Sequence, residues 1–199
     1  MITILFASNN PGKLKEVKSL IANFQINLES LIGRNDLPSI IEDGITLEEN
    51  ALKKARIIYN STHSPTISDD TGLEVYHLNM APGVISARYA GENVSYADNN
   101  KKLLRELEGV PEEKRGARFR CVAVFTDGNI ERSFEGICNG KIINTLRGKD
   151  GFGYDPLFVP DGYRETYAEL TLAEKNKISH RAIAFHKLIK FLIDYYHLT

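Results

Sequence analysis

Two neighbouring carboxylates, Asp69 and Asp70, lie in Ser68-Asp69-Asp70-Thr71-Gly72-Leu73, directly after the strand-like run Pro65-Thr66-Ile67. An acidic pair where a short apolar strand runs out can hold a divalent metal, and strand ends are where open α/β sheets bind ligands. Gly72 is expected to let the backbone turn at that point. The same composition is also ordinary turn chemistry, so the pair gains meaning only from other residues. Glu42, just before a helix signal, is placed to meet Asp70 in space, with Asp43 beside it. Oxygen donors of this kind suit Mg²⁺, which keeps waters and bridges to phosphates, whereas zinc favours His or Cys.

Phosphate-binding features accompany the carboxylates. Ser8-Asn9-Asn10-Pro11-Gly12-Lys13 follows the apolar run Ile2 to Ala7, which places a helix start with its N–H groups and Lys13 at the end of a strand. The P-loop pattern is absent. Asn50 and Lys53 stand one helical turn apart and could reach a common ligand. Lys175 and Ser179-His180-Arg181 put cations at a second helix junction. Gly151-Phe152-Gly153-Tyr154-Asp155-Pro156 is glycine-spaced, aromatic and acidic; its glycines permit close backbone approach, and Phe152 could lie flat against a planar base. Phosphate-binding cations, metal-binding carboxylates and an aromatic platform together describe one ligand, a nucleoside triphosphate with Mg²⁺.

The elements that must position these residues follow from periodicity. A strand over residues 2–7, a helix from Pro11 to about Ala22 and a weaker strand over 27–31 come first. Thr46-Leu47-Glu48-Glu49 reads as a capping box opening a helix to about Tyr59, and Ser95 opens another to Glu108. Runs 117–125 and 130–137 flank Asp127-Gly128-Asn129, a strong hairpin signal. Asn139-Gly140 predicts a further turn before residues 141–143. Thr171-Leu172-Ala173-Glu174 is a second capping box, and Ile183, Leu188, Ile189, Leu192 and Tyr196 stripe the last helix. Residues 79–91 read as a loop carrying partly exposed apolar groups, a candidate dimer surface. The fold class expected is α/β: a mixed sheet with flanking helices plus an antiparallel lobe, a nucleotide cleft between the two, and one domain over residues 1–199 that could divide into two lobes.

Composition narrows the partners. Lys and Arg number 25 against 26 Asp and Glu, a net charge of −1, so no global basic field collects nucleic acid. Cys121 and Cys138 are too few for a disulfide framework and too far apart for a zinc motif. No apolar run nears the roughly 20 residues of a membrane span, and the opening residues lack a signal-peptide pattern. A soluble protein of the reducing cytoplasm is the expectation.

Several separated motifs also resemble the inosine triphosphate pyrophosphatase family: Ser8-x-Asn10-x-Gly12-Lys13, Glu42-x-Gly44 with Glu49-Asn50-Ala51-x-Lys53-Lys54-Ala55, Ser68 to Leu73, Pro82-Gly83, Ser86-Ala87-Arg88-Tyr89, Gly151 to Pro156, and Glu174-Lys175-Asn176 with Ser179-His180-Arg181. They run in one order from residue 8 to residue 181. The resemblance implies Mg²⁺-dependent hydrolysis of ITP, dITP and XTP to the monophosphate and pyrophosphate, in a homodimer. It implies that Ser8, Asn10 and Lys13 contact the triphosphate, that Glu42 and Asp70 hold the metal, and that Asp70 accepts the proton. Thr71, Phe152, Gly153, Tyr154, Asp155, Lys175, His180 and Arg181 would complete the substrate site; Lys53, from its helix position beside Asn50, is read as a further phosphate contact. Asp43 replaces the Thr of many relatives. Because a metal-bound carboxylate is a poor base, Asp69 and Asp70 are expected to share metal holding and water orientation. A pyrophosphatase for dUTP or modified pyrimidine nucleotides is the nearest alternative; a non-hydrolysing nucleotide-binding module and a nucleic-acid binder using residues 175–181 are more distant ones.

Overall fold

The computed structural model describes residues 1–198. In chain order its elements are β1 (Ile2–Phe6), α1 (Pro11–Ile21), β2 (Ile26–Ser30), α2 (Leu47–Thr62), β3 (Thr66–Val75), α3 (Tyr96–Glu106), β4 (Gly116–Thr126), β5 (Glu131–Ile142), β6 (Phe158–Pro160), α4 (Leu172–Ile178) and α5 (His180–Tyr196). The strand order is β2-β1-β3-β4-β5-β6. Pairing of β1 is parallel to both β2 and β3, while β5 pairs antiparallel with β6. The fold is therefore mixed α/β, as expected.

The chain forms two compact units. The first comprises residues 1–70, residues 121–136 and the chain from Arg181 onward; the second comprises residues 71–120 and 137–180. In the first unit, side-chain alternation along β1 supplies two cores. Ile4 and Phe6 pack with Val17 and Leu20 of α1 and with Phe185 and Leu188 of α5. Leu5 and Ala7 pack with Ile58 of α2. A strand covered on both faces reads as a continuous apolar run, which is how residues 2–7 read. The second unit has its own core of Leu73, Val75, Leu103, Phe119, Leu157, Phe158 and Tyr167.

Two segments expected to turn are strands instead. β3 continues through Asp69, Asp70, Thr71 and Gly72 to Val75, so the acidic pair lies within a strand. Gly72 serves a close approach: a Cβ there would come within 2.5 Å of the Gly83 carbonyl oxygen. β5 likewise runs through Asn139 and Gly140, where a Cβ would collide with the Val159 carbonyl oxygen of β6. In both places glycine removes a side chain rather than permitting a bend. The Thr171 and Ser95 caps form, each as a capping box with Glu174 or Asp98. Thr46 caps α2 by accepting from the Glu49 N–H, but the Glu49 carboxylate accepts from the Ile45 N–H rather than closing the box.

Candidate active site

Successive side chains on a strand point to opposite faces, so Asp69 and Asp70 enter different surroundings. Asp69 is fully buried. Its Oδ2 lies 3.1 Å from Lys13 Nζ and accepts from Arg181 Nε at 3.1 Å, with the Cys121 thiol 3.8 Å away. Arg181, itself buried, also pairs with buried Glu16 of α1. Two carboxylates therefore face two cations, a neutral set. Burial raises the Asp69 pKa, but Lys13 and Arg181 outweigh it and hold the carboxyl well below the usual carboxylate range. Asp69, expected to share metal holding and water orientation with Asp70, is enclosed and paired with Lys13 and Arg181. Arg181, expected at a substrate, is the other half of that enclosed set.

Asp70 turns towards α2. Lys54 Nζ sits 3.3 Å from Asp70 Oδ1 and 3.1 Å from Glu42 Oε1, and Asn50 Nδ2 donates to Asp70 Oδ2 at 3.3 Å. Glu42 and Asp70 thus converge, as expected from sequence, with Lys54 joining them. This set has two carboxylates and one ammonium, an excess of negative charge. Burial pushes the Asp70 carboxyl pKa up, and Lys54 and Lys13 only partly offset it. Lys54 is buried too, a loss for its charge, yet Asp70 and Glu42 leave its pKa raised.

The phosphate-side residues are only partly as expected. The Asn10 carboxamide accepts from the N–H groups of Gly12 and Lys13 at 2.9 and 3.2 Å, so α1 caps itself at the donors expected for a ligand. Ser8 Oγ accepts from the Asn10 N–H at 3.2 Å. Lys53 is half-exposed and pairs with exposed Asp43 at 2.5 Å, whereas Asn50 is buried, so the two do not face one ligand. Lys54, four residues after Asn50, takes the inward position that a three-residue step assigned to Lys53.

In the second unit the Phe152 N–H donates to Asp155 Oδ2 at 2.9 Å, and Lys175 Nζ lies 2.5 Å from the same oxygen. Both side chains of that ion pair are 4 % exposed, so the pair is internal. The ammonium also stands 5.2 Å from the centroid of the half-buried Phe152 ring, within cation–π reach. Gly151 and Gly153 adopt φ of 75° and 63°, and the Gly153 carbonyl accepts from Asn100 Nδ2 at 3.0 Å. Tyr154 is buried and donates its hydroxyl to the Ser86 carbonyl at 2.9 Å. His180 is buried with its ring stacked 4.6 Å from that of Phe119. Thr71 is half-buried. The side chains of Tyr154 and His180, both expected at the substrate, are buried, whereas the Phe152 ring is half-buried. Sequence reasoning assigned no role to Lys54 or Glu16. Their signals are the four-residue step from Asn50 to Lys54 on α2 and the three-residue step from Lys13 to Glu16 on α1, each of which puts two side chains on one helix face.

The Ham1 family model matches residues 4–191 of this chain. The chain belongs to the Ham1 family. Among its relatives, a protein of Thermoanaerobacter pseudethanolicus named dITP/XTP pyrophosphatase is 48% identical over 190 residues, covering 96% of each chain. One of Caldanaerobacter subterraneus with the same name is 46% identical over 194 residues, 97% of each. A solved HAM1 protein of Coxiella burnetii matches this Ham1 chain with a TM-score of 0.87 at 38% identity, over 98% of this chain and 100% of the other. Among the described residues, no group of three or more His, Cys, Asp or Glu is gathered to hold a metal, and no helix is long and apolar enough to cross a membrane.

Proposed function

We propose that this Ham1 family protein hydrolyses non-canonical purine nucleoside triphosphates, dITP, ITP and XTP, to the monophosphate and pyrophosphate, as a cytoplasmic homodimer with Mg²⁺. Support comes from near full-length relatives named for dITP and XTP. The observation that carries the chemistry is the Glu42–Lys54–Asp70 set, in which two converging carboxylates share one ammonium.

The donor chemistry fits a hard divalent cation. Glu42 and Asp70 supply oxygens and an excess negative charge, without His or Cys, and one or two carboxylates plus substrate oxygens are a usual Mg²⁺ set. Bound Mg²⁺ would neutralise charge on the phosphates and on the leaving pyrophosphate. Asp70 is assigned the proton of the attacking water, at the carboxylate oxygen that the metal leaves free. Ser8, Asn10, Lys13 and Lys53 bind the triphosphate. Thr71 and the Phe152 to Asp155 segment take the sugar and base, with Lys175 paired to Asp155 and so setting that segment, while Asp69 and Arg181 hold Lys13 in position. A 6-oxo group is selected by N–H donors, which a 6-amino group would leave unpaired.

The test is pyrophosphate release from ITP, dITP, XTP, GTP, dUTP and dTTP, with and without Mg²⁺. Turnover of the first three well above the rest, with pyrophosphate rather than phosphate as product, is expected. Preference for dUTP would favour a pyrimidine enzyme, and binding without pyrophosphate release would leave a nucleotide-binding module.

A further inference from the structure

The buried Asn50 side chain bridges Asp70 and the loop that carries Glu42. Its Oδ1 accepts from the Gly44 N–H at 2.8 Å, two residues from Glu42, and its Nδ2 donates to Asp70 Oδ2 at 3.3 Å. The amide orientation is fixed from both sides, because a backbone N–H demands the oxygen and a carboxylate demands the NH₂. Asn50 is 1 % exposed, so neither contact is replaced by solvent. The Gly44 contact is tight: a Cβ at position 44 would stand 2.7 Å from Asn50 Oδ1 and 2.9 Å from the Glu49 Cβ. Lys54 occupies the other Asp70 oxygen.

We propose that Asn50 is a positioning residue that ties the Glu42 loop to Asp70, setting both carboxylates for a divalent cation, with the absence of a side chain at Gly44 allowing that tie. The inference rests on the reading of Glu42 and Asp70 as the metal-holding pair. Residues that orient metal ligands without touching the metal commonly change affinity by about 10- to 100-fold when altered. Asn50 differs from a purely structural buried amide in its bond to Asp70: its loss should change metal affinity more than it changes the fold.

The experiment is Mn²⁺ binding to the full chain without nucleotide, followed by the electron paramagnetic resonance signal of unbound Mn²⁺, for wild type, Asn50→Ala, Gly44→Ala and Asp70→Asn. Circular dichroism melts of the metal-free proteins are run alongside. The expected result is Mn²⁺ binding by wild type that is lost in Asp70→Asn and weakened about tenfold or more in Asn50→Ala and Gly44→Ala. Turnover of the last two should recover as Mg²⁺ is raised. Should Asn50→Ala fail to fold, Gly44→Ala carries the test, since it leaves every named side chain in the sequence. Folded variants that bind Mn²⁺ about as tightly as wild type overturn the inference while leaving the metal reading intact. Equal binding by wild type and Asp70→Asn overturns the metal reading, and this inference with it.

Discussion

Asp69 and Asp70 are neighbours with opposite electrostatics, and their isosteric amides should separate them. Asp69→Asn leaves Lys13 and Arg181 facing one carboxylate fewer inside the first unit. Breaking a buried pair in this way costs about 3–5 kcal/mol, visible as a large fall in the melting temperature without metal. Asp70→Asn removes a buried charge held above its ordinary pKa, so metal-free stability should be unchanged or higher while turnover is lost. The pH dependences also oppose each other. A depressed Asp69 pKa contributes stability that is full above the ordinary carboxylate range and is lost as pH falls through and below it. A raised Asp70 pKa costs stability increasingly as pH rises through that range. Wild type should therefore lose stability in acid through Asp69, and Asp69→Asn should flatten that limb. Gly151→Ala is a third case: its Cβ would collide with Asp155 Oδ2 at a φ of 75°, so the Lys175–Asp155 pair must shift. A raised KM for dITP with a smaller change in kcat is expected in steady-state kinetics.

Strand β3 carries both aspartates and then runs on beside the Gly83–Arg88 segment. Ser86 fastens it there, accepting from the Leu73 N–H at 2.9 Å and donating to the Gly83 carbonyl at 2.7 Å. Gly72→Ala forces its Cβ against the Gly83 carbonyl, an overpacking that costs about 1–3 kcal/mol, measurable by chemical denaturation. Helix α2 delivers Asn50 and Lys54 on one face, with Ala51, Ala55 and Ile58 buried alongside. That apolar face fixes the rotation of the helix about its axis, and with it which lysine reaches Asp70.

For the molecule as a whole, the charge excess at Glu42 and Asp70 predicts stabilisation by metal. Mg²⁺ at about 100 times its dissociation constant should add about 2.7 kcal/mol, seen as a rise in melting temperature that EDTA reverses and that Asp70→Asn lacks. Each unit has its own core, with Cys121 packed in that of the first and Cys138 in that of the second. The chain passes between units four times: within β3 at Asp70–Thr71, within β4 at Arg120–Cys121, within β5 at Gly136–Ile137, and at His180–Arg181, the start of α5.

The element types, the hairpin at 127–129, the Thr171 capping box, the Ser95 and Thr46 caps and the order of the motifs are legible in residue patterns, because periodicity and caps are local properties of the chain. The convergence of Glu42 with Asp70 is legible too, since the two stand on either side of α2 in sequence. Local patterns do not show that Gly72 and Gly140 lie within strands, because what forbids a side chain there is backbone from a distant segment. Nor do they show that Asp69 is enclosed: its counter-ions, Lys13 and Arg181, lie 56 and 112 residues away. The choice of Lys54 over Lys53 likewise depends on which side of α2 meets β3. Residue types set what chemistry is possible, and packing assigns each carboxylate its partner.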